Sequence, residues 1–170
     1  MDSKLLTLNR LYQEFQLCSQ DNDLLNNLGC KFGLVNNNYF NWKVTMKGPK
    51  NTPYEDGIFT ILINFHEDYP KHGPEFKFEN KIYHTCVNIR KDAHDFGRID
   101  LTSLNEWKCT GKVRGIVYNV KHALADIFYL FYIQSLECPF DEEICELYHK
   151  NPEKFFEEAK LWTKLYASPL

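Results

Sequence analysis

Two runs of strict alternation constrain this chain most. Phe40, Trp42, Val44 and Met46 alternate with polar or charged residues, and Phe59, Ile61, Ile63 and Phe65 repeat the pattern after a turn-rich gap. A period of two sends alternate side chains to opposite faces, so both runs read as strands with one buried face. Gly48-Pro49, Pro53 and Gly57 lie between them and read as two tight turns set by the φ values such turns need. Phe76 and Phe78 suggest a further short strand, and Phe32 and Leu34 alternate ahead of the turn composition Asn36-Asn37-Asn38. Short separations between these runs imply an antiparallel meander of about four strands.

Helical periodicity flanks the meander. Leu5, Leu8, Leu11, Tyr12 and Phe15 predict an amphipathic helix over 3–17, followed by a polar loop at 21–27. Residues 79–111 show no clear period, include the charged Arg90-Lys91-Asp92, and read as one long loop. A loop of that length is often functional. Val113, Ile116, Val117, Val120, Leu124, Ile127, Phe128 and Phe131 mark the clearest helix, and 141–149 a short one. The last helix starts at Asn151-Pro152-Glu153, with a cap, a proline at the first helical position and an early acid. Its apolar stripe is Phe155, Ala159, Trp162 and Tyr166. Strands first and helices after give an α+β fold, read as one domain over 1–170.

Composition narrows the function classes. A net charge of −3 gives no basic footprint, so no nucleic-acid partner is expected. No apolar stretch is long enough to span a bilayer, and the amino-terminal residues carry neither a signal region nor an acylation signature. The expectation is a soluble protein without membrane insertion, cytoplasmic, with the nucleus also open to it. The six cysteines form no Cys-x-x-Cys, so disulfides are not expected. Cys18, Cys30, Cys138 and Cys145 read as small buried hydrophobes. His84 and His94 match no standard zinc spacing, and His84 reads as a partly exposed loop histidine. No metal and no cofactor are expected.

Three segments carry a resemblance. They are WKVTMKGPKNTPYEDGIF at 42–59, FHEDYPKHGPEFKF at 65–78 and KIYHTCVN at 81–88. In that order they resemble the core of ubiquitin-conjugating enzymes, with a Lys-Gly-Pro turn, a Thr-Pro-Tyr-Glu-x-Gly turn and a Tyr-Pro-x-x-x-Pro segment. The similarity runs from about residue 5 to 167 and implies the same order of helix, meander, long loop and carboxyl-terminal helices. In that family Gly-x-Ile-Cys-Leu comes next, its cysteine holding ubiquitin as a thioester. This chain has Gly97-Arg98-Ile99-Asp100-Leu101.

The resemblance therefore implies a family member without its catalytic cysteine. Thioester transfer needs a sulfur nucleophile, because a thiolate attacks well and a thioester stays activated for an amine. Asp100 could form at best a mixed anhydride, which water destroys. Its expected role is structural, as a carboxylate accepting backbone N–H bonds. The family's His-Pro-Asn is His84-Thr85-Cys86 here, so Cys86 takes the asparagine slot, and a thiol is the poorer donor. If another sulfur served instead, the fallback nucleophiles would be Cys86 and Cys109, both expected near the active-site mouth.

Ligases in the family dock on the Tyr-Pro loop and on the loop after the tryptophan. The residues at those places are Lys71, where the family often has a large hydrophobe, and Lys108 and Cys109, where it commonly reads Trp-Ser-Pro-Ala, so an apolar anchor is lost. The first helix offers only Lys4 and Arg10 to an activating enzyme. Cysteine-less variants that assist an active conjugating enzyme generally lack the last two helices, which this chain keeps. The Akt-interacting protein (fused-toes homologue) subgroup keeps them and has aspartate in a Gly-x-[Leu/Ile]-Asp-[Val/Leu] context. It acts as an adaptor with coiled-coil Hook proteins. The resemblance thus implies a catalytically inactive protein-interaction module, leaning away from an enzyme. Its partner would be a coiled-coil adaptor complex, ubiquitin or an active conjugating enzyme. The alternative is an active ubiquitin or ubiquitin-like conjugating enzyme using Cys86 or Cys109.

Overall fold

The structure, a computed structural model, describes residues 3–90, 94–137 and 139–168. Lys91, Asp92 and Cys138 lie outside the described residues. Helix α1 (Ser3–Ser19) leads through a π-helical turn (Asp23–Asn27) into four strands, β1 (Lys31–Val35), β2 (Asn38–Lys47), β3 (Ile58–Asn64) and β4 (Glu75–Phe78). They form one antiparallel sheet in the order β1-β2-β3-β4, the expected meander. The polar 21–27 stretch thus holds a helical turn where a loop was expected, because Leu24 is buried and caps the core.

Register explains the alternation. Trp42 faces Ile63, Val44 faces Ile61 and Met46 faces Phe59, while Ile61 and Ile63 face Phe78 and Phe76. These eight apolar residues therefore land on one face, and their side chains are 5% exposed or less. Each large side chain buried this way contributes roughly 1.5–3 kcal/mol. Phe15 of α1 meets Trp42 edge-on at 5.1 Å, which docks α1 on the sheet. The fold is the α+β arrangement expected.

The long aperiodic segment is not all loop. It contains α2 (Thr102–Thr110), where only Leu104 and Trp107 are buried, so no stripe betrays the helix. Gly111, left-handed at φ 70°, closes it. Val113, Ile116 and Val117 do not begin a helix either. They form a hairpin, β5 (Lys112–Val113) and β6 (Ile116–Val117), turned by Arg114 and Gly115 at φ 49° and 73°. Two successive positive φ values match a two-residue hairpin turn. Helix α3 (Val120–Leu130) starts only after Asn119, whose side chain accepts from the His122 N–H at 3.1 Å.

Helices α4 (Glu142–Lys150) and α5 (Pro152–Tyr166) begin where expected, capped by Asp141 and Asn151. Phe155 and Ala159 are buried on α5, but Thr163 completes the buried stripe in place of Trp162 and Tyr166. The end of α5 joins the sheet through Ile58 N–H to Ala167 O at 2.7 Å.

Gly48 and Gly57 are glycines for lack of room, not for φ. Neither has positive φ, but a Cβ on Gly48 would lie 1.8 Å from the Tyr54 carbonyl oxygen. Cys145 corrects the cysteine reading: it is buried as expected, yet disulfide-bonded.

Candidate functional site

The site is assembled by two isolated bridges. Lys77 pairs with Arg98 and Val87 with Ile99, which lays 97–100 between β4 and the 86–88 segment. Gly97 makes the crossing possible. Its φ is +77°, its N–H donates to Asn88 O at 2.7 Å, and its carbonyl accepts from Phe78 N–H at 2.8 Å. A Cβ there would lie 1.9 Å from Phe78 O, so only glycine fits. The Asp100 N–H then donates to Cys86 O at 2.8 Å, which sets Asp100 beside Cys86.

Asp100 and Cys86 open on one cleft of about 510 Å³ between the start of α2, one face of α3 and the 135–139 segment. The Asp100 carboxylate accepts from the Asn105 side-chain amide at 2.8 Å. That partner differs from the expected backbone donors. Asn105, one turn into α2, reaches back toward Asp100, while the helix cap at Leu101 has no side-chain bond.

Cys86 is 7% exposed, and burial pushes its thiol above the ordinary value, with the Asp100 charge acting in the same direction. The Thr85 hydroxyl lies 3.8 Å from its Sγ. A thiol held neutral is neither a good nucleophile nor a strong donor.

His84 is buried at 1% exposure, which overturns its reading as a partly exposed loop residue. Its Nδ1 accepts the Cys86 N–H at 3.0 Å, so Nε2 carries the proton and donates to Leu130 O and Ile133 O at 2.9 and 3.0 Å. Burial holds its pKa down to about 4. His84 is therefore a neutral strut between the 84–86 segment and the end of α3. His94 is exposed, and among the described residues no group of metal-ligating side chains gathers.

A second strut escaped the sequence. Gln134 accepts from Thr85 N–H at 3.1 Å and from the Thr85 hydroxyl at 3.2 Å, and donates to the Tyr54 hydroxyl at 3.0 Å. Tyr54 donates onward to Tyr83 O at 2.8 Å, and Ser135 N–H donates to Thr85 Oγ1 at 2.8 Å. Gln134 stands 49 residues from Thr85, and no local pattern links them.

Set against known proteins, this fold and site have a clear family. A family model described as ubiquitin-conjugating enzyme matches residues 10–163. The chain belongs to the ubiquitin-conjugating enzyme family. It is 31% identical over 138 residues to the ubiquitin conjugating enzyme E2 B of Dictyostelium discoideum, covering 81% of this chain and 85% of that protein. Among solved structures it is similar to the E2 domain of a Toxoplasma gondii ubiquitin conjugating enzyme. The TM-score is 0.76 at 29% identity, covering 94% of this chain and 98% of that one. A Plasmodium yoelii structure described as a candidate ubiquitin conjugating enzyme gives a TM-score of 0.79 at 29% identity, covering 100% and 99%.

The two loops that the family resemblance nominated for docking lie side by side in this ubiquitin-conjugating-enzyme fold. Gly73 N–H donates to Trp107 O at 3.0 Å, and a Cβ on Gly111 would meet Lys71 O at 2.4 Å. Lys71 and Cys109 are exposed there, and Lys108 pairs with Glu75. None of the three lines the cleft of Asp100 and Cys86. Cys109, expected near the active-site mouth with Cys86, sits at the far end of α2 and does not line this cleft. No helix of the described residues is long and apolar enough to cross a membrane.

Proposed function

We propose that this member of the ubiquitin-conjugating enzyme family is a catalytically inactive protein-interaction module. The observation that carries the reading is the cleft itself. A carboxylate, Asp100, occupies the end of the Gly97–Leu101 segment, held by Asn105. The thiol among the described lining residues is Cys86, buried and held neutral. Neither group accepts ubiquitin by thiol exchange or keeps it activated for an amine. Within this reading, the full set of α4 and α5 favours an adaptor role, as in the fused-toes subgroup, over a variant that assists an active enzyme. The proposal treats 1–170 as one domain, working in the cytoplasm or nucleus with a protein partner and no cofactor.

A second reading has one observation in its favour. Cys109 is exposed, and the relatives are conjugating enzymes. Incubation with activating enzyme, ATP and ubiquitin, followed by reducing and non-reducing gels, separates the two. The inactive module gives no thiol-sensitive adduct beside a charged control enzyme. An adduct lost in Cys109→Ser or Cys86→Ser would establish the enzyme reading instead.

A further inference from the structure

Helix α5 has its buried stripe, Phe155, Ala159 and Thr163, on one side only. The opposite side holds two rows of residues at helical spacing. One row is Lys154, Glu158, Leu161 and Leu165; the other is Glu153, Glu157, Lys160 and Lys164. All but Glu158 are exposed, with Leu161 at 49% and Leu165 at 61%. Two leucines one turn apart therefore lie in water on the side of an amphipathic helix that ordinarily carries polar residues.

The charge order of the second row says what covers them. From its amino end the row reads two acids, then two bases. Glu153 neighbours Glu157, and Lys160 neighbours Lys164, at a spacing where like charges repel. None of the four has an ion-pair partner among the described residues. A row that is acidic in one half and basic in the other is complementary to its own inverted copy. A parallel copy would set like charge against like.

We propose that this face of α5 is the contact between two copies of the chain, packed antiparallel about a twofold axis at Leu161. Leu161 then packs on its own counterpart, and Glu157 faces Lys164 of the partner subunit. The twofold axis repeats that pair, so Lys164 faces the partner's Glu157. Leu165 covers the aliphatic stem of the partner's Glu158. One pair of 15-residue helices makes a small interface, so the association is weak and reversible. No residue of α5 lines the Asp100 cleft, so the contact is independent of whether that cleft is catalytic.

The test is sedimentation equilibrium of the full chain from about 10 μM to 1 mM, the range in which a small interface associates. The native chain shows a monomer–dimer equilibrium that weakens several-fold when sodium chloride is raised about tenfold. Leu161→Asp sets two carboxylates together at the axis and weakens the dimer at least about tenfold. Glu157→Lys moves the net charge from −3 to −1, and Lys164→Glu moves it to −5. Repulsion between whole molecules would make these two substitutions act in opposite directions. The proposed pairing makes each weaken the dimer several-fold, and the double swap returns it to within about twofold of native. Circular dichroism spectra that match the native chain establish that each variant is folded. A chain monomeric throughout, a dimer that survives Leu161→Asp, or single swaps of opposite effect would overturn the inference.

Discussion

Replacing Gln134 by leucine keeps the side-chain volume close to native and removes every hydrogen bond that the amide makes. The Thr85 N–H and hydroxyl lose their acceptor, and the Tyr54 hydroxyl loses a donor. Thr85 is 2% exposed, so water cannot readily replace the lost acceptor. Each orphaned buried donor costs about 1–3 kcal/mol. Gln134 itself is only half-buried, and the leucine gains some apolar burial, so the expected net loss is about 2 kcal/mol. At this chain length that lowers Tm by about 4–8 °C. Urea unfolding followed by tryptophan fluorescence reads the stability directly, with Thr85→Val as the partner variant in a double-mutant cycle. A loss under about 0.5 kcal/mol in Gln134→Leu, or strict additivity in the cycle, would refute the claim that this amide ties the 83–86 segment to the end of α3.

Two further outcomes follow from burial. The His84 imidazole has an ordinary value of 6.5 and is held near 4 in the folded chain, so the unfolded state takes up its proton first as pH falls. The stability from the neutral ring is therefore full above pH 6.5 and lost as pH falls through about 4, by about 3 kcal/mol. Unfolding free energies measured across that window should slope in the native chain and flatten in His84→Asn; an unchanged slope would contradict the assignment. For the thiols, Cys109 is exposed, whereas burial pushes Cys18 and Cys30 up to about 12. A disulfide-exchange reagent at neutral pH should give a fast phase that Cys109→Ser abolishes. A fast phase surviving that substitution would show that a buried thiol is reachable after all.

The parts of the fold written in short periods were legible in the sequence. Strand alternation at Phe40–Met46 and Phe59–Phe65 placed the sheet and its buried face, and Asn151-Pro152 placed the start of α5. Helix α2 was not legible, because two buried residues in nine give no stripe. Val113, Ile116 and Val117 read as helix because three apolar residues at helical spacing cannot be told from a short hairpin by period alone. The Arg114-Gly115 turn was the available signal. At the site, the family motif assigned slots to Asp100 and Cys86, while the struts His84 and Gln134 were not legible. Both act across about 50 residues of chain through buried polar bonds, and such contacts leave no local periodicity. Cys109 sits at the far end of α2, and the sequence does not give the direction in which that helix leaves the motif.

The most direct measurement of the central claim is the intact mass of the native chain after incubation with activating enzyme, ATP and ubiquitin, without reductant. The cleft of Asp100 and buried Cys86 predicts that the chain keeps its unmodified mass while a control conjugating enzyme gains one ubiquitin. A ubiquitin-sized increment on this chain, lost when thiol is added, would contradict it.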